Sequence, residues 1–164
     1  TELGIIQWLQ EKQSSGAIGQ VGFSYHGNTD MFCKLVDVYD WDFAQIQYNY
    51  MDEHSQAGRK GLNYAHSKGL AVIIMEPLRG GKLASLSEEN LSLLCADGKK
   101  RNAVEEAFRF FHDIPEIKVV LSGMSTLEQL KDNIGYFEID ESIDIHKETD
   151  LIIAKEWIME NYTD

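Results

Sequence analysis

Two glycine-containing loops of this chain carry the residues best suited to binding a phosphate group. One is the segment 79–82, Arg-Gly-Gly-Lys, in which two flexible glycines separate two cations. The other is the segment 122–126, Ser-Gly-Met-Ser-Thr, which precedes a helical pattern. Small residues let an anion approach backbone amides at the positive end of a helix. An ordinary turn explains the first loop nearly as well, and simple helix capping explains the second, so both interpretations stay open.

The other candidate chemical groups favour a functional site less strongly. Asp52, Glu53 and His54 are consecutive, so their side chains diverge in an extended segment and a metal would need ligands from elsewhere. We therefore expect no metal site. His26 follows a predicted strand and could act as an acid or base near neutral pH, although a loop histidine held by local hydrogen bonds is the simpler interpretation. Three further histidines fall on helical patterns, where a surface position is expected: His66, His112 and His146.

Composition narrows the class of protein. A chain of 164 residues with 43% hydrophobic content can form one domain with a core. Its 15 basic and 27 acidic residues give a net charge of −12, which repels a phosphate backbone, so no nucleic-acid partner is expected. The apolar runs are shorter than the roughly 18 residues of a membrane span, so no membrane partner is expected either. Cys33 and Cys95 lack metal-ligand spacing and fit a reduced, cytoplasmic protein.

Strand-like and helical patterns alternate along the chain. Strands are predicted at 20–24, 43–48, 71–75 and 118–122. Helices are predicted at 3–15, 30–39, 57–68, 103–112 and 126–136, with a short helix within 84–101 and a last amphipathic one from about 146. The repeated strand-then-helix order predicts the α/β class, with parallel strands joined by right-handed crossovers. Capping boxes are expected at two helix starts, Asn102 with Glu105 and Ser125 with Glu128.

Four motifs give the chain a resemblance to a known family. They are G-x-x-G-x-S at 19–24, Q-x-x-Y-N at 45–49, P-L-x-x-G at 77–81, and a loop and helix ending in Asn at 122–133. Their order and spacing resemble the second half of an aldo-keto reductase barrel, in the branch whose full-length members end in a 4Fe-4S module. The resemblance runs from about Ile5 to Phe137. It implies parallel βα units forming half of a (β/α)8 barrel over 1–137, with an acidic amphipathic helical extension over 138–164.

The resemblance also implies a site for NADP or NAD. Ser24 and Gln45 would hydrogen-bond the nicotinamide carboxamide, and Met75 would lie under the ring, where relatives often place an aromatic side chain. The residues that would line the pyrophosphate are Glu76, Leu78 and Gly80. Those along the adenosine end would be Gly123, Ser125, Gln129 and Asn133.

Three residues depart from the family's usual pattern. Tyr25 stands in place of an Asn that would make a further carboxamide contact. Met75 offers a softer and less rigid surface than an aromatic ring. Gln129 lacks the guanidinium fork with which NADP-preferring members hold a 2′-phosphate, so the preference between NADP and NAD stays open.

The resemblance does not extend to the catalytic residues of the family. The family's catalytic Asp, Tyr, Lys and His come from the first half of the barrel, and none can be assigned here. Two cysteines cannot supply the four thiolates of an iron-sulfur cluster, so none is expected. The resemblance implies an oxidoreductase fragment that is inactive alone and takes a small carbonyl substrate only in a completed barrel.

Two open questions follow from a half-barrel. Its sheet would have two open edges, so we expect a homo-oligomer such as a dimer, a rearrangement to a flavodoxin-like open sheet, or a chain that is one piece of a longer or cleaved protein and lacks its N-terminal half. Two alternative functions also remain, a non-catalytic structural fragment and a flavodoxin-like module that binds another phosphate ligand.

Overall fold

The fold was derived from a computed structural model, which describes residues 4–95 and 99–137. The predicted extension over 138–164 lies outside the described residues, so the expected domain boundary stays a prediction. The chain forms two compact units, Thr1–Met124 and Ser125–Asp164. In both described ranges, every helix falls short of the length and apolar character that a bilayer crossing requires.

The first unit alternates helices and strands as the sequence predicts. Its strands are β1 (Gly22–Tyr25), β2 (Phe43–Gln47), β3 (Ala71–Met75) and β4 (Ile117–Val120). Its helices are α1 (Ile5–Ser14), α2 (Thr29–Val36), α3 (Gly58–Ser67), α4 (Glu88–Leu94) and α5 (Ala103–Arg109), with a short 3₁₀ turn at Lys82–Ala84. The second unit contributes α6 (Leu127–Phe137). The predicted order of elements is therefore confirmed over the described residues.

Several element boundaries differ from the predicted ones for identifiable reasons. β3 has the predicted bounds, but β1 starts at Gly22 rather than at residue 20. Just before it, the Val21 amide donates to the Asp42 carboxylate at 2.6 Å, which takes this backbone group out of the sheet. α5 ends at Arg109 rather than at 112, because the chain tightens into i to i−3 bonds, such as His112 N to Arg109 O at 3.1 Å.

The four strands form one parallel sheet in the sequential order β1-β2-β3-β4. Gly22 pairs with Phe43 and Phe43 with Ala71, so the first three strands are in simple register. A sequential order is typical of consecutive strands in a (β/α)8 barrel. A flavodoxin-like sheet instead reverses its strand order, and the described strands show no reversal, so the flavodoxin-like alternative is wrong for this sheet.

A bulge interrupts the pairing of β3 with β4. Val72 pairs with Ile117, but the next residue of β3, Ile73, pairs with Val119. Lys118 is therefore the extra residue, and its Nζ donates to the Pro115 carbonyl at 2.8 Å. β4 therefore begins at Ile117, one residue before the predicted strand 118–122, and ends at Val120, two residues before the predicted end.

The two faces of the sheet differ in burial. One face is packed under the helices: Ala44, Ile46, Val72 and Ile74 are all fully buried. On the same side, Phe23 and Tyr25 pack against Phe32 of α2 with tilted rings, whose centroids lie 5.8 and 5.4 Å from that of Phe32. The opposite face, called the open face below, consists of partly or fully exposed residues: Gly22, Ser24, Phe43, Gln45, Gln47, Ala71, Ile73, Met75 and Val119.

The start of α6 shows how the second unit is capped. The Gln129 amide donates to Thr126 Oγ1 at 3.2 Å, and Gln129 Oε1 accepts from the Ser125 and Thr126 amides at 2.9 and 3.3 Å. This is a capping box of Thr126 with Gln129, one residue later than the predicted box of Ser125 with Glu128. The Asn102 half of the predicted box at α5 is confirmed, because the Asn102 Oδ1 accepts from the Glu105 amide at 2.8 Å.

Candidate functional site

Ser24, Gln45 and Met75 meet on the open face of the sheet. Ser24 pairs directly with Gln45 across β1 and β2, and parallel partners project to the same side. The Gln45 amide reaches across to β3, where its Nε2 lies 3.5 Å from Met75 Sδ. Strand alternation alone produces this arrangement, because every second residue of β2 and β3 faces the helices and the others face outward.

A buried polar network lies just beyond the carboxyl end of β2. Asn49 is fully buried, and its Oδ1 accepts from the Met51 and Asp52 amides at 3.0 and 3.1 Å. Its Nδ2 donates to Asp52 Oδ2 at 3.0 Å and to the Glu76 carbonyl at 3.2 Å. Asn49 therefore ties the loop after β2 to the loop after β3, and every polar atom of its side chain is used.

Asp52 collects donors from three directions. Its Oδ2 accepts from Asn49 Nδ2, from Gln47 Nε2 at 3.2 Å, and from Arg79 Nε at 3.2 Å. The Asp52 side chain is only 8% exposed, whereas that of Arg79 is 43% exposed. Gln47 is paired with Met75 and belongs to the open face, so this carboxylate places Arg79 at the rim of that face.

The loop after β3 adopts an unusual backbone. Glu76 and Arg79 have positive φ values of 54° and 50°, and Gly80 and Gly81 follow at 64° and 87°. This backbone therefore departs from a regular turn. Towards the end of the loop, the Leu83 amide donates to the Leu78 carbonyl at 3.1 Å. Of the predicted pyrophosphate residues, Glu76 and Gly80 are exposed and Leu78 is half-buried.

Glu53, next to Asp52, has a structural role. It accepts from Tyr48 Oη at 2.9 Å and from Arg59 Nε and Nη2 at 3.2 Å each. Burial, together with the bond to Glu53, raises the pKa of the Tyr48 hydroxyl, so Tyr48 stays protonated at neutral pH. A metal-binding group of three or more His, Cys, Asp or Glu side chains is not found across residues 4–95 and 99–137.

The remaining predicted residues follow β4 or belong to α6. Gly123 is exposed, with open space beside its Cα, and the neighbouring Met124 amide donates to Ser122 Oγ at 3.3 Å. In the second unit, Ser125 and Gln129 are exposed and Asn133 is buried. The amides of Ser125 and Thr126 already donate to Gln129, so an anion at this helix start would first have to displace that side chain.

Sequence analysis did not find the network of Gln47, Asn49, Asp52 and Arg79. It joins two loops through residues such as Asn49 and Glu76, which lie 27 positions apart, and nothing local in the sequence pairs Asp52 with Arg79. One signal was present, because an Asn directly after a strand commonly accepts from the amide two residues on and starts a tight turn.

Comparison with known proteins agrees with this fold and decides the family. The sequence profile described as "Aldo/keto reductase family" matches residues 3–154, nearly the whole chain. The chain belongs to the aldo-keto reductase family. The family resemblance found in the motifs is thereby confirmed, and the branch with a 4Fe-4S module stays a prediction.

Solved structures of aldo-keto reductases share the fold. Aldo-keto reductase AKR11C1 from Bacillus halodurans, in holo and apo forms, is 20% identical and superposes with a TM-score of 0.69 over 82% of this chain and 50% of its own. The thermostable aldo-keto reductase Tm1743, solved with the inhibitor epalrestat, is 18% identical, with a TM-score of 0.62 over 82% of this chain and 48% of its own. A comparison with curated proteins finds no match.

These likenesses confirm the predicted fold class. The chain spans about half the length of the aldo-keto reductase structures that it matches. Its parallel four-stranded α/β sheet corresponds to that share of the barrel.

Proposed function

We propose that this aldo-keto reductase chain forms the cofactor wall of an NAD(P)-dependent oxidoreductase, which transfers hydride between the cofactor and a carbonyl or alcohol substrate. Membership of the family supports the oxidoreductase class. The observation that carries the cofactor assignment is the meeting of Ser24, Gln45 and Met75 on the open face. The nicotinamide supplies the hydride when it is bound, and the chain positions it.

The chemistry of the three side chains fits a nicotinamide. Its carboxamide needs both a donor and an acceptor, and Gln45 offers both from one planar group. The Gln45 amide donates only to a sulfur among the bonds that the structure gives it, and a thioether is a weak acceptor. Exchanging that bond for one to a carboxamide oxygen would therefore cost little. Ser24 contributes an exposed hydroxyl beside Gln45, and Met75 a polarizable surface for the ring.

Reduction of a carbonyl also needs a proton donor at the oxygen. We propose that this donor and the other catalytic groups come from the rest of a completed barrel, so that the chain alone binds cofactor without turning over substrate. The chain covers about half of its solved relatives, which supports this division. These catalytic groups would come from an N-terminal partner segment, because a second copy of this chain would only repeat the same half; a homo-oligomer would instead cover the open edges of the sheet. The free thiols of Cys33 and Cys95 support a cytoplasmic location.

A fluorescence titration with NADPH tests the proposal. We expect saturable binding by the chain, and binding weaker by about tenfold in Gln45→Ala, the loss expected for one useful hydrogen bond. Gln10→Ala is the matched control, because it makes the same chemical change at an exposed position of α1. Absence of binding at millimolar NADPH would favour the non-catalytic structural fragment. Equal affinities for the two variants would remove Gln45 from the site.

A further inference from the structure

Arg79 lies at the rim of the open face and is bound to a carboxylate. Its Nε lies 3.2 Å from Asp52 Oδ2, and the same oxygen accepts from Gln47, whose strand position faces the open side. The Arg79 side chain is 43% exposed, so part of it is accessible to solvent and solutes. The pair thus joins a fixed, buried acid to an accessible base.

The ion pair can break without leaving the Asp52 carboxylate uncompensated. Asp52 Oδ2 keeps two amide donors, Gln47 Nε2 at 3.2 Å and Asn49 Nδ2 at 3.0 Å, when the guanidinium is removed. A buried carboxylate that retains such donors avoids most of the penalty for an uncompensated charge. Arg79, being nearly half exposed, is solvated again on release.

The surroundings of Arg79 suit a phosphate ligand. The guanidinium fork binds phosphate oxygens through paired N–H groups, which a neutral side chain cannot do. Gly80 and Gly81 follow at positive φ, with no other atoms within 4 Å of where a Cβ would stand, so a bulky anion could approach the backbone there. The chain carries a net charge of −12, and a local cation is therefore needed to hold a polyanion at its surface.

We propose that Arg79 is an exchangeable anion clamp: its guanidinium dissociates from the Asp52 carboxylate and then binds the diphosphate of the cofactor. Asp52 is then a positioning residue that stores the guanidinium at the rim and lowers the affinity for the anion by competing with it. This inference rests on the proposed function and extends it to a residue pair that sets cofactor affinity. The same clamp would also bind inorganic pyrophosphate, which serves as a probe free of the nicotinamide and adenosine contacts.

Titrations of NADPH at several salt concentrations test the clamp in four proteins. Arg79→Gln should bind roughly tenfold more weakly than the wild type and show a flatter salt dependence, because one charge-assisted contact is lost. Asp52→Asn should bind roughly threefold more tightly, because the competitor has lost its charge. Glu53→Gln is the matched control, since it removes the carboxylate from the Arg59 pair, whose side chains are 35% and 33% exposed. Its affinity should equal that of the wild type.

A second measurement keeps the test decisive if Asp52→Asn does not fold. Adding pyrophosphate to wild-type protein should shift the Arg79 Nε–H resonance in a ¹H–¹⁵N spectrum, identified by its absence in Arg79→Gln, and leave that of Arg59 in place. An unmoved Arg79 resonance, or NADPH affinity that Arg79→Gln leaves unchanged, would overturn the clamp. A shift by pyrophosphate without any NADPH binding would support the clamp and contradict the proposed function, so the two can fail separately.

Discussion

Gln45 donates a hydrogen bond to the sulfur of Met75 across neighbouring strands, with Nε2 and Sδ 3.5 Å apart. The carboxamide is thereby held by a weak and adaptable acceptor rather than by a carbonyl or a carboxylate. The two residues lie 30 positions apart in the chain, and the parallel pairing of β2 with β3 brings them together.

Replacement of Met75 by an aromatic residue should strengthen cofactor binding. A tyrosine ring gives a larger and more rigid surface than a thioether, and stacking of a base on an aromatic ring contributes about 1 to 3 kcal/mol. Met75→Tyr should therefore bind NADPH at least about fivefold more tightly in a fluorescence titration. Met51→Tyr, at a side chain that is 59% exposed, should bind like the wild type. Weaker binding by Met75→Tyr would show that the ring is not placed against this residue.

Removal of the Asn49 side chain should destabilise the fold strongly. Asn49→Ala removes donors to Asp52 and to the Glu76 carbonyl and leaves Asp52 with less compensation in a buried position. The expected loss in the free energy of unfolding is about 2 to 4 kcal/mol, measured by urea denaturation. Asn63→Ala, at an exposed position of α3, should change it by less than about 0.5 kcal/mol. Similar midpoints for both variants would contradict a structural role for the network.

Gly22 should tolerate no side chain while Phe43 keeps its ring. A Cβ at Gly22 would lie 2.4 Å from the Phe43 ring, far inside contact distance. Gly22→Ala should cost about 1 to 3 kcal/mol of unfolding free energy, and the double variant with Phe43→Leu should recover part of that loss. Gly19→Ala, where no atom lies within 4 Å, is the control and should be close to neutral. Additive effects in the double variant would mean that the ring moves aside freely.

The Asp37 carboxyl should titrate at a lower pH than an ordinary aspartate. Bonds from Lys68 Nζ and Tyr64 Oη, each 2.6 Å long, lower the pKa of Asp37 below its usual value of 3.8. A lowered folded pKa stabilises the protein fully above the unfolded value, and this stabilisation disappears as the pH falls through the folded value. An NMR titration should show Asp37 titrating below pH 3.8.

Two lysine variants check the cause of that shift. Lys68→Gln should raise the pKa of Asp37, because it removes the strongest of its partners. Lys60→Gln, at an exposed position of α3, should leave it unchanged. An Asp37 that titrates at the same pH in Lys68→Gln as in the wild type would rule out the bond to Lys68 as the cause.

Local sequence patterns predicted element bounds and helix caps correctly where all the residues involved belong to one element. β3 has its predicted bounds because an apolar run of five residues is followed directly by Glu76 and Pro77. The cap of α5 by Asn102 is equally local, since donor and acceptor lie three residues apart. At α6 two adjacent residues could each cap the helix, and the longer reach of Gln129 to both the Ser125 and Thr126 amides favours the later one.

Those local patterns could not predict contacts between segments that are distant in the sequence. The motifs placed Ser24 and Gln45 on neighbouring strands, and the pairing register then decided that they share a face. The ion pair of Asp52 with Arg79 required two loops to meet, and its only local signal was the Asn49 that starts the first of them. The bulge in β4 depends on its pairing with β3, and alternation along residues 117–121 gave no sign of it.

That bulge determines which charge the nicotinamide would encounter. In an unbroken register Ile73 would pair with Lys118, which would add an ammonium group to the row that contains Ser24 and Gln45. The extra residue instead gives that position to Val119 and leaves Lys118 bonded to the Pro115 carbonyl. An oxidised nicotinamide ring carries a positive charge and its reduced form does not, so a lysine there would penalise one oxidation state only. A single inserted residue thus keeps an ammonium group out of the row of side chains against which the proposed nicotinamide would lie.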